Sequence, residues 1–260
     1  MLLAGLREKV IEIGLQMLQD RLVHHGQGNI STIDRENGYI AITPSGMPYH
    51  RRQPEDICVI DIDQHIIEGR WRPTSEIALH MVFYRNRTNV NAVIHTHAPY
   101  ATIYSIIGEN RLPMVLNESA MCLGGPLPVT PYGRPGTQEL AQITYDSIGN
   151  GVGAIMAHHG LVTVGATLEQ AYDATLAAEA TAQAIILARA TGATVHTLTP
   201  EEITYLQNAH RIYAALPAED NSAKLIYHLK AALIECLGKQ VDATLLDTVV
   251  PEAVKEVLFS

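Results

Sequence analysis

Histidines are the side chains whose spacing first suggests chemistry in this sequence. His95 and His97 end a short apolar run that predicts a strand, and residues two apart in a strand point to the same face. A third histidine, His159, is predicted at another strand position and precedes Gly160, which leaves room for a ligand. Glu76, predicted in the first turn of a helix, adds a carboxylate. Three imidazoles and a carboxylate suit a divalent ion such as Zn²⁺, although a single His-x-His pair also arises by chance.

Three short segments have the composition of an anion site. Each combines a hydroxyl or amide side chain with glycine or with a predicted helix start: Gly28-Asn29, Ser45-Gly46 and Thr74-Ser75. Glycine-containing turns and helix N-termini expose unpaired N–H groups, which bind phosphate without a cationic patch. The same residue pairs are common in ordinary turns and helix caps. They therefore predict a phosphate site only if the fold brings them together, which periodicity alone does not show.

Composition narrows the class of protein. The chain has 260 residues and a net charge of −9, whereas a general nucleic-acid binder needs clustered lysine and arginine. No stretch approaches the roughly 18 to 20 apolar residues of a membrane span, and the N-terminal segment reads as an amphipathic helix and not as a signal peptide. Cys58, Cys122 and Cys236 are scattered, which argues against a disulfide framework. We therefore expect a cytoplasmic protein that binds neither nucleic acid nor membranes.

The predicted elements alternate between helices and strands. Helices are predicted at Leu2–Val23, Glu76–Arg87, Pro99–Ile107, Thr137–Ser147 and Thr167–Ala190, and again from Thr199 onward. Strands are predicted at Tyr39–Thr43, Ile57–Asp61, Ala92–His97 and Val152–Val164. This order predicts an α/β fold in which helices cover both faces of a sheet. A boundary near Leu216-Pro217 would separate residues 1–216 from a helical extension of unknown role at 217–260.

Six ordered motifs give the sequence a resemblance to a known family. They are Gly28–Ser31 (GNIS), Ile42–Tyr49 (ITPSGMPY), Thr74–Glu76 (TSE), Ala92–His97 (AVIHTH), Pro131–Thr137 (PYGRPGT) and His158–Gly160 (HHG). In this order they resemble the class II aldolase/adducin family, most closely its L-fuculose-phosphate aldolases, over roughly residues 5 to 215. The resemblance implies a three-layer α/β/α fold with a mainly antiparallel central sheet, and makes residues 1–216 the catalytic domain. It also implies a cyclic homotetramer with active sites between subunits.

The resemblance also implies roles for the residues described above. His95, His97 and His159 match the family's zinc ligands, which would also accept Mn²⁺ or Co²⁺. Glu76 matches the acidic residue that both contacts the metal and moves protons. The residues that match the phosphate pocket are Gly28, Asn29, Ser45, Gly46, Thr74 and Ser75. The implied reaction cleaves a ketose 1-phosphate to dihydroxyacetone phosphate and an aldehyde.

One position departs from the family's pattern. Fuculose aldolases carry a tyrosine a few residues before a Gly-Gly pair, and in this sequence Glu118 stands there, before Gly124-Gly125. Related dehydratases and rhamnulose aldolases use a carboxyl group, so Glu118 of a neighbouring subunit is a candidate for proton transfer at the leaving oxygen. An exposed loop glutamate is the plain alternative. Tyr213 matches a second family tyrosine, although a tyrosine there also fits ordinary helix packing.

Other functions would use the same residues. A methylthioribulose-1-phosphate dehydratase, a pentulose-phosphate 4-epimerase or a keto-acid-phosphate decarboxylase would keep the metal and phosphate sites on the same fold. A non-catalytic adducin-like binding domain has no reason to hold metal ligands together, and a metallohydrolase has no use for three phosphate-binding turns. We therefore predict a metal-dependent carbon–carbon lyase that acts on a small phosphorylated sugar.

Overall fold

The computed structural model describes residues 1–214, without the side chains of residues 211–214, and residues 248, 250 and 251. The chain divides into two compact units, residues 1–197 and 198–260. The helices are α1 (Ala4–Gln19), α2 (Ile77–Asn86), α3 (Pro99–Tyr104), α4 (Asn117–Leu123), α5 (Gln138–Ile148), α6 (Leu168–Ala190) and, in the second unit, α7 (Pro200–Ala214). Short 3-10 helices span Tyr49–Arg51 and Pro54–Asp56. The strands are β1 (Asn29–Asp34), β2 (Tyr39–Ile42), β3 (Cys58–Ile60), β4 (Ile66–Glu68), β5 (Ala92–Thr96), β6 (Arg111–Leu112), β7 (Leu127–Pro128), β8 (Gly153–Met156) and β9 (Gly160–Gly165).

A seven-stranded sheet forms the middle layer of the first unit. Its order is β4-β3-β2-β1-β5-β9-β8, and every neighbouring pair is antiparallel. Helices α2 and α5 pack on one face, and helices α1 and α6 pack on the other, with α3 and α4 against α6. Strands β6 and β7 form a separate two-stranded ribbon. The predicted α/β/α fold with a mainly antiparallel sheet is therefore confirmed.

Side-chain alternation along the strands places the chemically interesting residues on one face. In β9, Val162 packs in the core beneath α2 and α5, whereas Thr163 faces the other way and donates to a carbonyl of α6. The same alternation turns Asn29 and Ser31 of β1 and His95 of β5 towards α2. Asn29 and His95 are direct partners in the β1–β5 ladder, so the sheet sets them side by side.

The run Val152–Val164, predicted as one strand, is a hairpin. Strands β8 and β9 pair from Met156 and Gly160 outward, and Ala157, His158 and His159 form the turn. The prediction fails because the apolar run has no Asn-Gly or Asp-Gly signal, and the turn instead places His158 in the left-handed region at φ 58°. The prediction that His159 lies in a strand is therefore wrong, and His97 lies one residue beyond the end of β5.

Some elements have no signal in the sequence pattern. Strand β1 follows a polar segment directly, so no change in composition marks where it begins. Strand β4 is an edge strand of three residues, too short to give a pattern. Helix α4 occupies a stretch that was interpreted as a loop. Its first turn is closed by Ser119, whose Oγ accepts from the N–H of Leu116, and it ends at Gly124 with φ 68°.

Two further predictions concern segments near the ends of the chain. Helix α1 stops at Gln19, short of the predicted Val23, because Arg21 adopts a left-handed φ of 59° and Leu22 bonds back to Met17. Residues 217–260, predicted as a helical extension, lie outside the described residues apart from 248, 250 and 251. Within the described part of the chain, none of the helices has the length and apolar character that crossing a bilayer requires.

Candidate metal centre and adjoining cavity

Three histidine side chains meet at the end of β5. The nitrogens that His95, His97 and His159 offer lie within 4.8 Å of one another, and their ring centroids are 4.8 to 5.1 Å apart. The ring of His95 is fully buried, and the rings of His97 and His159 are partly exposed. Strand β5 supplies His95, the residue that follows its end supplies His97, and the β8–β9 turn supplies His159. The pairing of β5 with β9 therefore assembles the cluster.

The orientation of His95 leaves one ring nitrogen free for a ligand. Its Nδ1–H donates to the carbonyl oxygen of Leu161 at 2.9 Å, so Nε2 is the nitrogen that can bind a ligand. Gly160 allows the backbone of Thr96 to approach beside this bond, because a Cβ on Gly160 would lie 2.3 Å from the carbonyl oxygen of Thr96. The glycine of the His-His-Gly motif is thus required by packing next to the cluster.

Glu76 brings a carboxylate to the same place. It is the N-cap residue of α2, and its N–H is satisfied locally by the hydroxyl of Thr74 at 3.3 Å. Its Oε2 lies 3.1 Å from Nε2 of His95, and its Oε1 lies 3.4 Å from Nε2 of His159. The amide of Asn29 donates to Oε2 at 2.9 Å. The carboxylate is therefore fixed from the sheet side and faces the imidazoles.

Burial and neighbouring charges set the protonation of this cluster. Burial, reinforced by the neighbouring imidazoles, lowers the pKa of His97 and of His159 to about 4 against the opposing effect of Glu76. For Glu76, burial alone would raise the pKa. The charge and hydrogen bond of His95, the charge of His159 and the hydrogen bond from Asn29 outweigh burial and hold this pKa well below its usual range. At neutral pH, His97 and His159 are therefore neutral imidazoles and Glu76 is an ionised carboxylate, the forms that bind metals.

The donor set fits a divalent metal ion. Because Nδ1 of His95 donates to Leu161, its Nε2 is the nitrogen that faces the Oε2 of Glu76 and the Nε2 of His97, which lies 3.2 Å away. These three atoms converge on one point, where a divalent cation could bind all of them. Ligands about 2.0 to 2.1 Å from a tetrahedral ion would lie about 3.3 Å apart, close to these separations. Two further atoms, Oε1 of Glu76 and Nδ1 of His159, are buried without a hydrogen-bond partner among the described residues.

A cavity of about 290 Å³ opens from this cluster. All six residues of the predicted phosphate pocket line it, together with Glu76, His97 and His159. The fold therefore brings the three anion-site segments together beside the histidines. The remaining lining residues, which sequence reasoning missed, are Gly26, Gln27, Pro44, Pro135 and Gly136.

Close backbone contacts join the walls of the cavity. Gly28 has φ 71°, and a Cβ there would lie 2.6 Å from the carbonyl oxygen of His95. A Cβ on Gly26 would lie 3.0 Å from the carbonyl oxygen of Met47, and one on Gly136 would lie 3.2 Å from that of Ser75. These glycines let the segments approach closely, and the glycine positions are the sequence signal for Gly26 and Gly136 as lining residues.

A series of buried, hydrogen-bonded side chains behind Glu76 was also not predicted from the sequence. Nε2 of His80 lies 2.5 Å from Oδ1 of Asn29, Nδ1 of His80 lies 2.6 Å from the hydroxyl of Ser31, and that hydroxyl contacts Tyr84 at 2.6 Å. Two spacings in the sequence indicate this group of residues. His80 follows Glu76 by four residues on α2, and Ser31 follows Asn29 by two residues on β1.

The two proposed proton-transfer residues are placed differently from the cluster. Glu118 is exposed in the first turn of α4 and does not line the cavity of its own chain. Tyr213 belongs to α7 of the second unit, and its side chain lies outside the described residues.

The chain is similar to several known proteins. Residues 8–186 match the model of the Class II Aldolase and Adducin N-terminal domain family. The 5-deoxy-D-ribulose 1-phosphate aldolase of Bacillus thuringiensis serovar kurstaki is 35% identical over 173 residues, 66% of this chain and 80% of that protein. The L-fuculose phosphate aldolase of Methanococcus maripaludis is 34% identical over 168 residues, 65% of this chain and 89% of that protein. A solved L-fuculose 1-phosphate aldolase superposes with a TM-score of 0.75 at 29% identity, over 80% of this chain and 96% of that one.

Proposed function

This chain belongs to the class II aldolase and adducin family and is a carbon–carbon lyase, and we propose that it is a metal-dependent aldolase that cleaves a ketose 1-phosphate to dihydroxyacetone phosphate and an aldehyde. The two relatives described above are named as aldolases of a 5-deoxypentulose 1-phosphate and of fuculose phosphate. Both names describe a ketose carrying one phosphate, which is the substrate class proposed for this chain.

One observation carries the proposal. Two histidines of the cluster, His97 and His159, line a single cavity together with Glu76 and the three anion-site segments. A metal ion alone would serve many hydrolases, and a phosphate pocket alone would serve many binding proteins. A cavity that presents both, with a carboxylate between them, supports an enzymatic function. The substrate's phosphate would bind at one end, and its reacting oxygens would bind the metal at the other.

The phosphate end would bind through hydroxyls and free backbone amides. The N–H of Ser45 already donates to the carbonyl of Arg72, and the N–H of Thr74 donates to the carbonyl of Thr43. An anion would therefore be met by the Ser45 and Ser75 hydroxyls and by the next amide in each segment, at Gly46 and Ser75. The start of α2 adds the positive end of a helix dipole.

The metal end supports the bond-breaking step. We propose Zn²⁺, held by His95, His97, His159 and Glu76, and a divalent ion here would supply Lewis-acid stabilisation of negative charge on the substrate oxygens. In cleavage, the C4 hydroxyl gives up its proton, the C3–C4 bond breaks, and its electron pair passes to C3. Glu76 would take up a proton when the substrate displaces it from the metal, and would then deliver that proton to C3, completing dihydroxyacetone phosphate. This uptake balances the proton that leaves the C4 oxygen.

A second group must accept the proton at the C4 oxygen. We propose that Glu118 of a neighbouring subunit does so in a homotetramer, with Tyr213 as a second contributor. Two features support this: Glu118 is exposed, and the cavity of its own chain does not include it.

A cytoplasmic location is proposed on the free thiols of Cys58 and Cys122.

The experiment that tests this function is a substrate panel. Purified protein is incubated with several ketose 1-phosphates, and dihydroxyacetone phosphate is measured with a coupled reductase. We expect release from at least one 1-phosphate, and none from a pentulose 5-phosphate. Loss of water from a methylthioribulose 1-phosphate, epimerisation at C4 of a pentulose phosphate, or carbon dioxide from a keto-acid phosphate would instead identify one of the rival activities on this fold.

A further inference from the structure

The polar chain behind Glu76 has only one consistent arrangement of its protons. The carboxylate of Glu76 can only accept, so the amide nitrogen of Asn29 faces it at 2.9 Å and the amide oxygen faces His80 at 2.5 Å. Nε2 of His80 must then carry a proton and donate it. Because burial lowers the pKa of His80 to about 3, the ring is neutral and its Nδ1 has a lone pair.

The same reasoning fixes the proton positions at the other end of this series of hydrogen-bonded side chains, at Ser31 and Tyr84. The hydroxyl of Ser31 must donate to Nδ1 of His80, which leaves its oxygen to accept from the hydroxyl of Tyr84. Every donor in the series points the same way, from Tyr84 through Ser31, His80 and Asn29 to Glu76. Ser31 and His80 are fully buried, and Asn29 and Tyr84 are nearly so, so water does not compete for these bonds.

We propose that His80 is a positioning residue: by donating from Nε2 to the side-chain oxygen of Asn29, it fixes the amide so that its N–H groups face Glu76 and the cavity. Without that donor, the amide of Asn29 could flip and present its oxygen to the carboxylate. Two acceptors would then face each other in a buried site, and Glu76 would turn away from the imidazoles. The chain is not a proton wire, because the amide in its middle does not exchange a proton along its length.

This inference rests on the proposed function only for its rate measurement. The first test needs neither a variant nor activity. In ¹⁵N spectra of the imidazoles of the metal-free wild-type protein, His80 should be neutral with its proton on Nε2. A proton on Nδ1, or a cationic ring at neutral pH, would overturn the proposal.

The second test uses two amide replacements of different length. In His80→Gln the amide nitrogen reaches the position of Nε2 and can still donate to Asn29. In His80→Asn it reaches only the position of Nδ1. We expect His80→Asn to lower Zn²⁺ affinity, measured by competition with a chelator, and kcat by about 10- to 100-fold, with little change in KM. His80→Gln should recover most of both. Equal losses in the two variants would overturn the proposal.

Controls separate positioning from general damage to the core. Thr181→Val removes another fully buried hydroxyl, one that bonds only within α6, and should change thermal stability without changing Zn²⁺ affinity. The double variant Asn29→Ala/His80→Asn should lose no more Zn²⁺ affinity than Asn29→Ala alone, because His80 acts through Asn29. An additive loss would contradict that route. If wild-type protein releases no dihydroxyacetone phosphate, the proposed function fails, while the Zn²⁺ series still decides the role of His80.

Discussion

The two ends of the cavity are built in opposite ways. At the metal end, His95, Glu76 and Asn29 are at most 9% exposed, and they are held by a strand ladder and by hydrogen bonds from α2 and β1. At the phosphate end, Ser45, Gly46 and Ser75 are exposed residues of turns. The proposed metal end is thus fixed from behind by the core, whereas the proposed phosphate end depends on the backbone conformation of turns at the surface.

This difference predicts separable effects. Changes at the metal end should alter metal content and turnover, because the ligands have no freedom to compensate. Changes at the phosphate end should alter the binding of phosphorylated substrates and leave the metal in place.

Removing a ligand should have the largest effect. In His97→Ala, we expect metal content to collapse and activity to fall by at least about 100-fold while the fold survives, because His97 is partly exposed and its loss leaves little void. Metal analysis and thermal unfolding measure the two quantities. His158→Ala is the matched control, since His158 neighbours the cluster in sequence but is exposed. Undiminished metal in His97→Ala would remove the assignment.

Glu118 should affect turnover alone. Loss of a general acid or base typically costs about 10²- to 10⁴-fold in rate, so Glu118→Gln should lower kcat by that order with normal metal content and phosphate affinity. Glu139→Gln is the control, because Glu139 is also an exposed glutamate in the first turn of its helix. A wild-type kcat in Glu118→Gln would show that Glu118 is a plain surface residue, and Tyr213→Phe would be tested next.

Ser75 should affect substrate binding. A lost hydrogen bond to a charged group corresponds to about 10- to 100-fold in affinity, so Ser75→Ala should raise KM for a ketose 1-phosphate by that order. Asn29→Leu is a harsher version, although it also disturbs Glu76. Steady-state kinetics with phosphorylated and unphosphorylated substrates measure the effect. If both substrates are affected equally by Ser75→Ala, the pocket does not bind phosphate.

A glycine pair tests how closely the two ends are joined. Gly28 and Gly38 both have φ 71°, but a Cβ would meet the His95 carbonyl only at Gly28 and nothing within 4 Å at Gly38. Gly38→Ala should lower the free energy of unfolding by about 1 to 2 kcal/mol through its backbone conformation alone. Gly28→Ala should cost about 1 to 3 kcal/mol more and also weaken metal binding. Denaturant unfolding of both variants measures the two losses of stability. Equal losses would show that the close contact between Gly28 and the His95 carbonyl does not constrain β5.

The sequence predicts the fold and the metal end unevenly. Strand β5 and its histidines follow from an apolar run, because alternation in a buried strand is a local property. The hairpin that carries His159 does not follow, since its turn depends on a histidine with positive φ and not on a typical turn residue. The antiparallel order of the sheet came from the family resemblance and not from periodicity.

The positioning of Glu76 could not be predicted from local patterns. Asn29, Ser31 and His80 lie on two elements that meet only in the folded chain, and their burial gives the hydrogen bonds their significance. The convergence of Gly28, Ser45 and Ser75 likewise depends on close backbone contacts between segments that are distant in sequence. Spacing identified these segments as candidates, and the tertiary structure brought them to one cavity.

The central claim is that one cavity uses a metal ion and a phosphate site together. The most direct measurement follows aldehyde release from a ketose 1-phosphate and from the same ketose without phosphate, each with metal-loaded and chelator-treated enzyme. We expect rapid cleavage only when both phosphate and metal are present, with activity restored by Zn²⁺, Mn²⁺ or Co²⁺. Equal cleavage of the unphosphorylated sugar, or full activity after removal of the metal, would contradict it.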